Sequence, residues 1–346
     1  MERKSGRFLV FGALFLGFLA FSLNVHAKTV LKLSHQFPAV AAGSKIDQWY
    51  ADEVKKATNG EVEIKIFWSE ALAKAKENLT LLRSGAIDMA GMSAGYFPSE
   101  LPFYCIGNSI AMGMDNICQS SAIMKAFMDK VPAFKEEERN NKVRVLFFHL
   151  LNPYLLVTKE PVNNLSDLKG KKFRTWGEDL PLLFKAAGAT PVTIFMPEIY
   201  ENLQRGVIDG CPFCVDLVVA YKLYEVAKHI TEVVIWEGPA WGLWISEKSW
   251  QKLSPRNQEI LLETADRARK REITTTAEAG VKAREFLKEK GVEFHNFPAQ
   301  ELEKWKKASP DFYKVWIEKM EKKGKGDAAR QTVQLWKDMR SWIVCP

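Results

Sequence analysis

The chain is poor in the residues on which metal and acid–base enzymes depend. It has five histidines in 346 residues; the four beyond residue 27 (His35, His149, His229 and His295) are far apart, and none sits in a His-Glu-x-x-His pattern. The single Cys-x-x-Cys, Cys211 to Cys214, has no second pair, so the spacing of a zinc site is missing. No metal, no cofactor and no enzyme activity are expected. Basic residues are not collected into a stripe: they alternate with Glu and Asp, as in 301–325, which excludes nucleic acid as an expected partner. No Gly-X-Y period and no low-complexity linker occurs, and beyond residue 27 no apolar run approaches bilayer-spanning length. With 47% hydrophobic and 26% charged residues, what remains is a globular protein of about two domains.

The N-terminus stands apart. Arg3, Lys4 and Arg7 precede an uncharged, Phe- and Leu-rich run from Phe8 to Val25, and Val25-His26-Ala27 places small residues where signal peptidase reads. Residues 1–27 therefore read as a cleavable leader rather than a retained anchor, which predicts a periplasmic protein. Removing three basic residues and one acidic residue lowers 49 Lys+Arg to 46 and 42 Asp+Glu to 41, a formal charge of +5. The mildly basic surface suits anionic solutes or partners. Five cysteines (Cys105, Cys118, Cys211, Cys214, Cys345) enter an oxidising compartment; the number is odd, so at least one is free or paired between chains, and the sequence assigns no bridge.

Alternating apolar residues predict strands at 29–35, 62–66 and 87–92, with helices at 44–58 and 72–84 between them. This βαβαβ order implies a mostly parallel sheet with helices on its faces. A second set follows: strands at 143–150, 154–158, 172–175 and 207–209, with helices at 180–187 and 197–205. Ser254-Pro255 then opens a long helix to about residue 290, roughly 50 Å at 1.5 Å per residue, which should lean on both halves. Two further helical stretches are expected at 299–322 and 328–342. The fold class is α/β with two lobes. Lobe I is expected to comprise 28–150 and about 241–280, and lobe II 151–240 and about 281–346.

In open α/β sheets ligands bind beyond the carboxyl ends of strands, and Arg174 ends the strand 172–175. Its planar fork of donors fits a carboxylate. From position alone, a carboxylate clamp and a surface Arg paired with Glu178 or Asp179 are both open.

The segment from Leu165 through Lys169-Gly170 to Arg174, the run from Pro197 to Gly210, and the stretches at 31–35, 82–88 and 224–230 together resemble the solute receptors of TRAP (tripartite ATP-independent periplasmic) transporters of the dicarboxylate-receptor type. The resemblance implies a clamshell binding protein that closes on an organic acid and delivers it to the small and large membrane subunits of a permease. It also implies that Arg174 grips the ligand carboxylate. The chain departs from the family pattern at three places. Trp176 stands where many members have Pro, Phe213 in Cys211-Pro-Phe-Cys214 stands where many have Asn, and Tyr154 lies near a position where some acidic-sugar receptors carry another Arg. The expected ligand is thus a monocarboxylate with an apolar or aromatic body, rather than a compact dicarboxylate or sialic acid.

Further candidate lining residues are His35, Gln36 and Phe37 after the first strand, Ser93 and Tyr96 after the third, Met196 before the 197–205 helix, Cys214 as a pocket wall, and Trp241 as a wall or core residue. A monomer or a homodimer is compatible with the sequence. The rival reading is a periplasmic thiol–disulfide oxidoreductase using Cys211 and Cys214, since a helix N-terminus lowers a thiol pKa.

Overall fold

The computed structural model describes residues 28–114, 116–238 and 241–342; the expected leader lies outside them. Among the described residues, eleven strands form two sheets. The first holds β1 (Thr29–His35), β2 (Val62–Phe67), β3 (Met89–Met92), β4 (Val143–His149) and β10 (Trp241–Ser246) in the order β2-β1-β3-β10-β4. β1 runs parallel to β2 and β3, and β10 antiparallel to β3 and β4. The second sheet holds β5 (Tyr154–Thr158), β6 (Lys172–Thr175), β7 (Thr190–Thr193), β8 (Gly210–Phe213), β9 (His229–Trp236) and β11 (Glu293–Asn296) in the order β11-β9-β5-β8-β6-β7. The chain passes from one sheet to the other after β4, after β9 and again through the long helix, giving the two-lobed α/β architecture.

Local chemistry explains most of these elements. Along β1, Val30 is exposed while Leu31 and Leu33 are buried, the period-2 pattern of a strand facing a core. The helix Ala42–Ala57 buries Ile46, Tyr50 and Val54 at four-residue intervals; the Thr58 hydroxyl then donates to Val54 O (2.8 Å), and Asn59 and Gly60 turn to positive φ. Three expectations need correction, the first being the helix at 72–84, which is a 3₁₀ turn at Ala75–Glu77 followed by an α-helix at Asn78–Ser84. The strand placed at 207–209 begins instead at Gly210, because Val207 and Ile208 donate back to Asn202 O and close the preceding helix. The stretch 299–322 is two helices, Ala299–Ala308 and Phe312–Lys322, divided at Ser309-Pro310; a helix seldom runs through the residue before proline.

The long helix Pro255–Glu289 starts as its sequence predicts, with the Ser254 hydroxyl accepting from Asn257 N (3.2 Å). A buried stripe through Leu261, Ala265, Ala268, Glu272, Thr276, Gly280, Ala283 and Leu287 faces inward. Its first half packs on the helix Ala42–Ala57, where Tyr50 donates to Leu261 O (3.2 Å). Its second half packs on the helix Val215–Ala220, and Arg284 pairs with Glu232 of β9. Gly280 marks the crossing between sheets: a Cβ there would stand 2.8 Å from Oδ1 of Asn152, whose Nδ2 donates to Thr276 O (2.8 Å). The C-terminal helices then return across the molecule. Trp305 donates to Leu183 O near the second sheet, whereas Trp316 and Trp336 donate to Pro102 O and Gly113 O beside the first.

Candidate functional site

β6 alternates across its sheet. Phe173 points into the core, stacked on Phe184 at 5.0 Å, so Arg174 points the other way, at the carboxyl end of the strand and toward the first sheet. Arg174 is completely buried. Its Nε donates to Ile194 O (3.0 Å), which fixes the plane of the guanidinium, and its Cζ lies 4.2 Å from the centre of the Trp176 ring. Among the described residues, Nη1 and Nη2 have no protein partner. Glu178 and Asp179, its alternative partners from sequence, are both bonded to Lys319 instead. A buried cation with unpaired donors costs several kcal/mol, which is tolerated where a ligand supplies the counter-charge.

The space beside the guanidinium is small, about 10 Å³, on the scale of a single water. Ser93, Tyr96 and Asn108 line it from the first lobe; Tyr154, Trp176, Met196 and Trp236 line it with Arg174 from the other side. The rings form a box: Tyr154 is 5.5 Å from Trp176 and 5.0 Å from Trp236, and Trp176 and Trp236 are 5.8 Å apart edge to face. Across the cleft Tyr96 stands edge-on to Phe195 at 4.8 Å. Burial pushes the phenols of Tyr96 and Tyr154 above their usual range and outweighs the opposing pull of Arg174, so both remain hydroxyl donors at neutral pH.

Beyond Asn108 lies a larger recess of about 290 Å³, lined by Gly95, Pro102, Gly177, Asp179, Trp316 and Lys319 among others. Gly95 lets the Asn108 carboxamide divide the two spaces: a Cβ on Gly95 would be 2.7 Å from Asn108 Cγ.

The structure brings six of the sequence-derived candidates to the small cavity: Arg174, Trp176, Tyr154, Met196, Ser93 and Tyr96. Gln36 reaches its edge, with Oε1 accepting from Ser93 N (3.1 Å). Phe213 and Cys214 lie behind it, Phe213 packing 5.6 Å from Tyr154. His35, Phe37 and Trp241 go elsewhere, into a buried network beside the long helix. His35 Nε2 donates to Asp47 Oδ2 (2.8 Å), while its Nδ1 accepts from Phe37 N (3.1 Å). His149 bonds Asp47 Oδ1 through Nε2 (3.0 Å) and Glu272 Oε1 through Nδ1 (2.7 Å), and Trp241 stacks on its ring at 3.6 Å. Burial alone would lower the His149 imidazole, but the two carboxylates outweigh it and lift it to about 10. Asn108 and Trp236 were missed from sequence, because 102–112 has no periodic pattern and Trp236 ends a strand that reads as core.

Two other chemistries can be judged from geometry. No Gly-x-Ser-x-Gly elbow is expected from the sequence, and this needs correction: Gly91-Met-Ser-Ala-Gly95 has that spacing and runs from the end of β3 into a short 3₁₀ turn. Ser93 Oγ accepts from Gly95 N (3.2 Å), and the His35 ring against Gly91 has both nitrogens engaged, so that ring is no base for a nucleophile. The thiol–disulfide reading also fails. Among the described cysteines, Cys105, Cys211 and Cys214 are free and buried, and Cys118 is disulfide-bonded. Burial pushes the Cys211 thiol up to about 12 and Cys214 well above its usual range, the opposite of an activated cysteine.

The model of bacterial extracellular solute-binding protein family 7 (DctP) matches residues 42–320. A solute-binding protein of Albidiferax ferrireducens is 29% identical over 64% of this chain and 66% of its own. A TRAP periplasmic solute-binding protein of Desulfovibrio salexigens, solved with orotic acid, has a TM-score of 0.80 at 20% identity, covering 92% of this chain and all of the other. A marine metagenome TRAP solute-binding protein from an unidentified microbe, specific for aromatic acid ligands and solved with metahydroxyphenylacetate, has a TM-score of 0.79 at 23% identity, covering 91% and 99%.

Proposed function

The chain belongs to bacterial extracellular solute-binding protein family 7, the solute receptors of TRAP transporters, and from that premise we propose that it is a periplasmic receptor that closes its two lobes on an organic acid, with Arg174 as the carboxylate clamp. The observation that carries this reading is the pair of unpartnered Nη groups on a fully buried guanidinium between the sheets. A carboxylate satisfies both donors at once and returns the missing counter-charge. At about 4 Å and an effective dielectric near 20 such a pair is worth on the order of 4 kcal/mol before desolvation, about half of a micromolar affinity. The rest must come from the ligand body.

That body is apolar or aromatic in our reading, and the acid a monocarboxylate. Arg174 is the one cation among the residues lining the cavity, and four of the other seven are aromatic. The fold accommodates an acid of that kind in the marine protein that binds metahydroxyphenylacetate. About 10 Å³ admits no such molecule, so entry requires the lobes to part. We divide the lobes as 28–150 with 241–280 and 312–342, against 151–240 with 281–308. Residues 312–342 go with the first because Trp316 and Trp336 pack there. The closed receptor then presents a surface made by both lobes to the membrane subunits of the permease, which is how ligand contact with both lobes becomes a transport signal.

The test is a thermal-shift screen of organic acids on the mature protein and its Arg174→Ala variant. Stabilisation should follow RT ln(1 + [L]/Kd), about 2.7 kcal/mol at a hundredfold excess over Kd, and should vanish in the variant. Aryl and branched monocarboxylates should outrank succinate and sialic acid. Response to succinate alone contradicts the aromatic pocket; no response to any acid contradicts the clamp.

A further inference from the structure

At the far edge of the second sheet, away from Arg174, β9 and β11 run parallel with His229 opposite Glu293 and Thr231 opposite His295. Residues two apart on a strand share a face, so this register sets His229, Glu293 and His295 on one side of the sheet. Their donor atoms converge. His229 Nδ1 is 3.0 Å from His295 Nε2 and 3.7 Å from Glu293 Oε2, and His295 Nε2 is 3.8 Å from the same oxygen. The three atoms form a triangle with edges of 3.0, 3.7 and 3.8 Å.

A tetrahedral ion with ligands at about 2.0–2.2 Å holds neighbouring donors roughly 3.3–3.5 Å apart, so each edge of the triangle needs to change by only about half an ångström or less. The two imidazoles are mostly buried, at 15% and 18% exposure, whereas Glu293 is 67% exposed. One side of the triangle therefore faces solvent, where a water can complete the shell. Among the described residues the two histidines are the only ion-pair partners of Glu293. The neighbouring cations are occupied: Lys228 donates to Lys290 O, and Arg284 and Lys288 lie over the ring of Phe294, which alternates to the opposite face of β11.

We propose that His229, Glu293 and His295 bind a divalent transition-metal ion. Two imidazoles and one carboxylate suit Zn²⁺, Ni²⁺ or Cu²⁺ rather than Ca²⁺ or Mg²⁺, which take oxygen ligands. The backbone already holds the donors, since Glu293 N donates to Lys228 O (2.8 Å) beside the site. The ion ties the edge strand β11 to β9 just after the long helix and is independent of the acid cleft. Sequence spacing could not reveal the site, because sixty-six residues separate His229 from His295.

The experiment uses the mature protein, free of any polyhistidine tag and stripped with chelator, titrated with Zn²⁺ and with Co²⁺ as a spectroscopic probe. One ion per chain is expected, with a visible Co²⁺ absorption of a four-coordinate nitrogen–oxygen site and a rise in melting temperature on adding Zn²⁺. His229→Gln or His295→Gln should each weaken binding at least about tenfold, and Glu293→Gln should do so with both imidazoles intact. Circular dichroism shows whether each variant folds. Absence of saturable uptake by the wild type overturns the proposal, and so does uptake that persists unchanged in the His229→Gln/His295→Gln double variant. Failure here leaves acid binding at Arg174 untouched, so the two readings are tested separately.

Discussion

The guanidinium carbon of Arg174 stands 4.2 Å from the centre of the Trp176 ring, so that indole is the platform on which the guanidinium rests. Together with the Nε bond to Ile194 O, this stacking fixes the plane in which Nη1 and Nη2 lie. Preorganisation of this kind lowers the cost of ordering on binding.

The first prediction concerns that platform. A desolvated cation–π contact is worth about 0.5–2 kcal/mol, so Trp176→Leu should raise the Kd for the preferred acid about 2- to 30-fold while the protein remains folded. Isothermal titration of both proteins reads this; an unchanged Kd removes Trp176 from the site.

The second concerns closure. Lys319, on a helix packed against the first lobe, bonds both Glu178 (3.1 Å) and the buried Asp179 of the second. With 312–342 assigned to the first lobe as proposed above, these contacts cross the cleft. Lys319→Met should shift the equilibrium toward the open form and speed ligand release by roughly three- to tenfold, a value discounted for the partial exposure of Lys319. Stopped-flow dissociation measures it, and small-angle scattering should show a larger radius of gyration. Equal release rates would show that the bridge does not hold the lobes.

The third follows from the buried His149 network. Its imidazole sits near 10 when folded against an ordinary value of 6.5, so its contribution to stability is fully present below about 6.5 and is lost as pH rises through 10. For Asp47, burial raises the carboxyl but the two histidines bring it below 3.8, so its contribution is present above that value and is lost as pH falls. Burial raises the Glu272 carboxyl above 4.5 despite the pull of His149, so its contribution is present below about 4.5 and is lost as pH rises above that value. The network therefore stabilises most near pH 4, and the His149 contribution persists to about 6.5 before it declines. Denaturant melts should show His149→Gln costing on the order of 3 kcal/mol at pH 6, with the gap from wild type shrinking toward pH 10. A gap independent of pH would mean that His149 is neutral in the fold.

The fourth concerns the thiols. With Cys211 and Cys214 buried and their thiols raised, the native protein should react with a thiol reagent only on unfolding, and neither Cys211→Ala nor Cys214→Ala should change insulin reduction, which should be absent from all three proteins. Cavity creation should cost each variant about 1–2 kcal/mol in a urea melt. Turnover by the wild type that disappears in Cys211→Ala would restore the redox reading.

The legible parts of the sequence were those where local chemistry decides. Ser254-Pro255 set the start of the long helix, the alternation of 29–35 set β1, and the turn at Lys169-Gly170 placed Arg174 at a strand end. The signal was weak where tertiary contact decides. His35 and Trp241 follow or open strands just as Tyr96 and Trp176 follow them, yet Asp47 and Glu272, from two distant helices, draw His35 and the His149–Trp241 stack into a core network. Asn108 reaches the cavity from an aperiodic segment because Gly95 leaves room for it. The same limit hid the His229–Glu293–His295 cluster, which exists only through the pairing of β9 with β11.

The central claim is that the buried fork of Arg174 exists to receive a carboxylate. The direct measurement is calorimetric titration of the wild type with the best acid from the screen and with its primary amide, which keeps the shape and removes the charge. The account predicts that the amide binds roughly a hundredfold more weakly, the scale of a lost charged hydrogen-bond pair. An amide that binds as tightly as the acid would contradict it.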